Sequence, residues 1–235
     1  MHGGAYMAKS KKGEYLPIDF LPSAPDLNFE QALWKAGVRF VGGIDEAGRG
    51  ALAGPVAAAV VVFPKDSSLL NALHGVRDSK QMTPAQRQHW SVLIRQSAVS
   101  WGTGLASHQE IDALGILPAT RLAALRAVQS LDLLPEHLLL DNLFLPEEPI
   151  PQAALIKGDC RSLSVAAASV LAKVTRDDLM RQFEVQFPGY GFAVHKGYGT
   201  AAHCRAIQEL GISPLHRRTF QPVKAMLLSM APQPA

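Results

Sequence analysis

Two adjacent carboxylates, Asp45 and Glu46, end an apolar run and open a glycine-rich turn: Gly43-Ile44-Asp45-Glu46-Ala47-Gly48-Arg49-Gly50-Ala51-Leu52-Ala53-Gly54-Pro55. A second apolar run, Val56 to Phe63, follows directly. Neighbouring side chains on a strand point to opposite faces, so an acidic pair is an unusual end for a core strand. Unpaired carboxylates so placed repel each other unless positive charge lies between them, and a divalent cation supplies it. The glycines let a backbone approach a ligand closely, because no Cβ intervenes.

With 235 residues, 48% of them hydrophobic, the chain can bury one substantial core and carry a small appended segment. The net charge is only +3, but Lys196, His203, Arg205, His216, Arg217 and Arg218 crowd the last third, which permits a nucleic-acid partner. Cys160 and Cys204 form neither a disulfide framework nor a zinc spacing, so a reducing, cytoplasmic setting is expected. No uninterrupted apolar stretch reaches membrane-spanning length and no signal peptide is recognised, so no membrane partner is expected.

Residues 1–28 lack periodicity and are expected to form a flexible tail, with Met7 as a second candidate start. Five strands are expected at 40–45, 56–63, 99–106, 138–141 and 153–156. Helices are expected from Thr83-Pro84 to Ser97, after the Ser107-x-x-Glu110 capping box, over 118–131, and from a Ser162 or Ser164 cap to about Phe187. This pattern predicts an α/β layer fold with a mixed five-stranded sheet. It divides the chain into a main domain at 29–187, a C-terminal helical segment at 188–224 and a tail at 225–235.

Asp45 and Asp141 each close an apolar strand, where ligand sites gather in open α/β sheets. A further carboxylate comes from the helix carrying Thr175-Arg176-Asp177-Asp178. Asp177 shares a face with Val170 and Val174, and Asp178 with Leu171 and Val174, so periodicity does not choose between them. Carboxylate oxygens suit Mg²⁺ or Mn²⁺, and the missing Cys/His cluster argues against zinc. Four carboxylates around two hard cations about 4 Å apart suit phosphodiester hydrolysis.

The motif at 43–55 resembles the opening motif of the type 2 ribonucleases H, the bacterial ribonuclease HII family. The likeness continues in family order through Asp78-Ser79-Lys80, Leu140-Asp141, Ile156-Lys157-Gly158-Asp159, Ser164 to Asp177, His195-Lys196-Gly197-Tyr198-Gly199-Thr200 and His216-Arg217-Arg218-Thr219-Phe220. It covers about 29–220. The resemblance implies an RNase H-like fold, with 29–187 as catalytic domain and 188–224 as substrate-binding segment. It implies metal-dependent endonucleolytic cleavage of the RNA strand of RNA–DNA hybrids. Cleavage is also implied 5′ of a single ribonucleotide in duplex DNA, leaving 3′-hydroxyl and 5′-phosphate ends. The roles implied are ribonucleotide excision repair and primer removal.

By the same resemblance Asp45, Glu46, Asp141 and Asp177 become the catalytic, metal-holding carboxylates, with Asp177 preferred to Asp178. Gly48, Arg49 and Gly50 become the loop whose backbone reads the 2′-hydroxyl, the group that separates RNA from DNA. Tyr198 becomes the ring that packs on the sugar at the junction. Lys80 is taken as a phosphate contact, with Arg49 and the C-terminal Arg, Lys and His residues. Asp159 is read as a helix-entry residue. Asn142 stands where many relatives have glycine. A monomer is expected, and a sliding-clamp contact is left open. The competing readings are a DNA-specific nuclease or strand-transfer enzyme on the same fold, and a non-catalytic nucleic-acid-binding protein.

Overall fold

The eight residues Val56–Phe63 are buried on both faces, and most of the architecture follows from covering both. Val56, Ala58 and Val60 face one apolar layer, and Ala59, Val61 and Phe63 the other, as the two-residue period of a strand requires. The computed structural model describes residues 14–17 and 21–230. The strands are β1 (Glu14–Leu16), β2 (Val41–Ala47), β3 (Val56–Phe63), β4 (Ser100–Ala106), β5 (His137–Asp141) and β6 (Gln152–Leu155). The helices are α1 (Asn28–Lys35), α2 (Leu69–Ala72), α3 (Pro84–Ser97), α4 (His108–Leu114), α5 (Ile116–Gln129), α6 (Leu163–Gln186), α7 (Phe192–His195), α8 (Ala201–Leu210) and α9 (Val223–Met230).

The strands form one sheet in the order β1-β6-β5-β2-β3-β4. β2, β3 and β4 pair antiparallel, while β5 runs parallel to β2, β6 to β5 and β1 to β6. α5 covers one face through Ala119, Ala123 and Ala127. α6 covers the other, and every residue from Leu163 to Ala172 is buried. Their small side chains bring helix and sheet close: a Cβ on Gly43 would lie 2.2 Å from the Ser164 carbonyl carbon. Ser162 caps α6 and accepts from Val165 N–H. The other two forecast caps also form, Thr83 with Gln86 on α3 and Ser107 with Glu110 on α4.

Among the described residues the sheet therefore has six strands, not five. The extra one, β1, lies inside the stretch read as a loose tail and pairs Tyr15 with Ala154 on the edge of β6. Three residues are too few to show a period, and edge pairing uses the backbone, which every sequence supplies. Leu27, in the same stretch, is buried in the core, and Asp26 exchanges backbone hydrogen bonds with Arg161 and Leu163. α9 likewise takes up most of what was read as the tail from 225. The rest of the expected tails, residues 1–13, 18–20 and 231–235, with both candidate starts, lies outside the described residues. No helix among the described residues is long and apolar enough to cross a membrane.

Candidate active site

The register Ile44↔Leu140 sets β2 and β5 in step, so Asp45 and Asp141, one residue on, stand side by side at neighbouring strand ends. The chain leaves β6 through a turn, Gly158–Cys160, that swings Asp159 to the same place. One oxygen from each of Asp45, Asp141 and Asp159 lies within 4.8 Å of the others. Gly158 N–H donates to Asp141 Oδ1 at 2.6 Å. Glu46 N–H donates to Asp45 Oδ1 at 2.7 Å, and Ser169 on α6 also hydrogen-bonds Asp45. Glu46 turns the other way, its Oε1 3.2 Å from Arg49 Nη1 and its Oε2 buried without a partner. Asn142, next to Asp141, adopts φ +45°, a left-handed conformation that glycine takes freely and asparagine tolerates.

This cluster is electrostatically incomplete. Burial first, then Glu46, Asp141 and Asp159, push the Asp45 carboxyl well above its ordinary range. Burial and Asp159 push Asp141 up to about 6. Asp159 and Glu46 are raised too, chiefly by burial. Lys80 Nζ, on a three-quarters exposed side chain, is 3.8 Å from Asp159 and from Asp78. One screened lysine does not balance four acids, whereas a hard divalent cation would, and the donors are all oxygen. The orphaned Glu46 Oε2 and the three converging oxygens fit such an ion.

Asp177, assigned the fourth carboxylate place from the sequence, is not brought into this group. Lys173 Nζ holds its Oδ1 at 2.7 Å, and Arg87 Nη2 lies 3.7 Å from its Oδ2. Ser169 is the α6 residue facing Asp45, and Asp177 is eight residues further, about 12 Å along the axis at 1.5 Å per residue. A helical period identifies a face but not a height along it. The group holds Asp159 instead, an acid that follows a strand closely and ends the family-like run Ile156-Lys157-Gly158-Asp159. Asp178 is half exposed and ion-paired to Arg181.

The glycine turn lies beside the acids and is sewn to the C-terminal segment. Ala51 bridges to Tyr198 and Ala53 to His216. Leu52 N–H donates to Gly197 O, and Gly54 N–H to Leu215 O. Gly48 has φ +95°, and a Cβ there would lie 1.9 Å from Arg176 Nε. Gly50 faces open space. Half-buried Tyr198 has Arg176 5.4 Å and Lys173 5.6 Å from its ring centre.

Not all the basic residues of the last third face outward. His203, His216 and Arg217 are at most 1% exposed, so they are not available as surface phosphate contacts. Ser213 N–H donates to His216 Nδ1, which leaves the neutral ring its proton on Nε2. His216 then donates to His203 Nε2 at 3.1 Å, and His203 Nδ1 donates to Tyr198 O at 3.0 Å. Burial holds both rings down at about 4, which keeps this wiring neutral.

The family model for ribonuclease HII matches residues 42–223. Ribonuclease HII of Chloroflexus aurantiacus is 52% identical over 207 residues, covering 88% of this chain and 98% of that protein. The crystal structure of ribonuclease H2 from Pyrococcus horikoshii superposes with a TM-score of 0.67 at 26% identity, covering 81% of this chain and 98% of that one. Bst-RNase HIII, solved in complex with Mn²⁺, shares the fold with a TM-score of 0.62 at 19% identity, covering 82% of this chain and 70% of that one.

Proposed function

This chain belongs to the ribonuclease HII family and is a ribonuclease H, and from that premise we propose the reaction it carries out. It hydrolyses the RNA strand of RNA–DNA hybrids and cuts duplex DNA 5′ of a single embedded ribonucleotide, leaving 3′-hydroxyl and 5′-phosphate ends. Its work in the cell is ribonucleotide excision and primer removal. The observation that carries the reading is the convergence of Asp45, Asp141 and Asp159 on one point beside Glu46, next to an open glycine turn.

Asp45, Glu46, Asp141 and Asp159 would hold Mg²⁺ or Mn²⁺. Bound there in a pair, such ions activate water and stabilise the leaving oxygen. Lys80, exposed beside Asp159, would meet a phosphate. The backbone of Gly48-Arg49-Gly50 would receive the 2′-hydroxyl, and the Tyr198 ring would pack on the neighbouring sugar. Phosphate contacts orient the duplex without reading its sequence, so recognition would depend on sugar chemistry.

The test compares three matched duplexes, one with a single ribonucleotide, one full hybrid and one all-DNA, each with Mg²⁺, Mn²⁺ or chelator. The first two should be cut with either metal and spared by chelator, and the third never. Asp45→Asn should abolish cutting while hybrid binding survives. Efficient cutting of all-DNA, or full turnover by Asp45→Asn at saturating Mg²⁺, would overturn the proposal.

A further inference from the structure

Arg176 and Arg217 are the two largest fully buried side chains among the described residues, and neither makes an ion pair with a carboxylate there. Arg217 donates from Nη2 to Gly48 O at 2.7 Å, from Nη1 to Arg49 O at 2.8 Å and from Nε to Gly54 O at 3.0 Å. Arg176 donates from Nε to Pro55 O at 2.8 Å, from Nη1 to Lys196 O at 2.9 Å and from Nη2 to Ala53 O at 3.1 Å. Five of the six carbonyls belong to the glycine turn. Burying a guanidinium without a counter-ion is costly, and burial pulls Arg217 down to about 9. A chain needing only to anchor a loop could do so with uncharged donors.

The orientation of the loop peptides gives the arrangement a use. In a planar trans peptide the C=O of one residue and the N–H of the next point in opposite directions. Arg217 grips the carbonyls of Gly48 and Arg49, so the N–H groups of Arg49 and Gly50 both face away from it. Neither has an acceptor among the described residues. Beyond Gly50 the space is open. Two adjacent donors, three and four residues past Glu46, thus face open space with a buried positive charge behind them.

We propose that Arg217, braced by Arg176, is the positioning residue for ribose discrimination: it fixes the two loop peptides so that the Arg49 and Gly50 amides face the sugar oxygen. This rests on the reading that the loop receives the 2′-hydroxyl. Arg217 touches no substrate and acts through the peptides it orients. A deoxyribose leaves the two fixed amides without an acceptor, and sites built around a hydroxyl reject the analogue lacking it. If the peptides turn, the ribose hydroxyl loses its two donors, while the phosphate contacts that both duplexes share remain.

The test measures binding in Ca²⁺ to two matched duplexes, one carrying a single ribonucleotide and one all-DNA, for wild type, Arg217→Met, Arg217→Lys and Arg218→Ala. Arg217→Lys keeps charge and bulk but not the three-pronged grip, and covers the case in which Arg217→Met does not fold. In folded Arg217 variants the ribose preference should fall by about tenfold or more, with all-DNA affinity held within about twofold. Arg218→Ala, which removes an exposed neighbouring charge, should keep the preference. An unchanged preference in Arg217→Lys, an equal loss on both duplexes, or the same loss in Arg218→Ala would overturn the proposal. A wild type without ribose preference would instead sink the reading of the loop on which it rests.

Discussion

The acid cluster and the glycine turn are chain neighbours built on opposite electrostatic plans. At the cluster, four carboxylates are drawn together by strand register and a tight turn, and the charge that would settle them must be imported. At the turn, two buried guanidinium groups are settled from within, by backbone carbonyls. The cluster is complete only when cations arrive, whereas the turn is preformed. Under the proposed function, chemistry at the first would be switched by metal supply, while recognition at the second would be a permanent property of the fold.

The largest effect expected separates the two aspartates that compete for the cluster. Asp159→Asn should lower kcat/KM by about a thousandfold or more, as the loss of a principal charge-stabilising group does. It should also remove most of the rise in melting temperature that Mn²⁺ gives the wild type. Asp177→Asn loses a salt bridge to Lys173 and Arg87, and should cost about tenfold or less with the Mn²⁺ shift intact. Steady-state kinetics and thermal melts read both, and the reverse order would return the fourth place to Asp177.

Next comes a contrast inside the turn. Gly48→Ala puts a methyl group into the Arg176 guanidinium at positive φ and should destabilise the fold by about 3 kcal/mol in denaturant titration. Gly50→Ala meets nothing and should stay within about 0.5 kcal/mol of wild type, while weakening binding to the ribonucleotide duplex. Equal destabilisation by the two would mean that the turn is not preformed.

The smallest effect is the response to acid, which should have opposite sign at the two sites. His203 and His216 titrate near 4 in the fold, against an ordinary 6.5, so between these values the unfolded chain binds more protons. Their stabilising contribution is whole above pH 6.5 and is lost as pH falls towards 4. The metal-free carboxylates work the other way. Asp141 titrates at about 6 against 3.8, so the fold binds more protons in that window and acid relieves it. With Mn²⁺ saturating, the carboxylates stay ionised and the histidine loss should stand alone. Amide exchange in 195–217 should then quicken between pH 6.5 and 5, and constant exchange would break the contrast.

Legibility followed the range of the forces involved. β3, the Thr83 and Ser107 caps and the strand-end acids were readable because each depends on a few consecutive residues. β1 was missed because an edge strand of three residues rests on backbone pairing. Asp177 was taken from the family resemblance and Asp159 read as a helix-entry residue, because spacing gives a helix face but not its distance from a strand end. Arg217 and His216 looked like members of a basic surface, since composition counts charges without saying which side they face.

The order of the elements from β2 to α6, the apolar layers, the acids at two strand ends and the glycines of the turn were written in the sequence, because hydrophobic period and backbone freedom are local properties. Which carboxylates meet, and which arginines lie beneath the turn, was decided only by the packed molecule. Arg217 and Gly48 are 169 residues apart, and no local preference records that one grips the other. Their contact exists because β2, α6 and the C-terminal segment close around one another. The cost of burying a charge then leaves the guanidinium only the carbonyls it finds there.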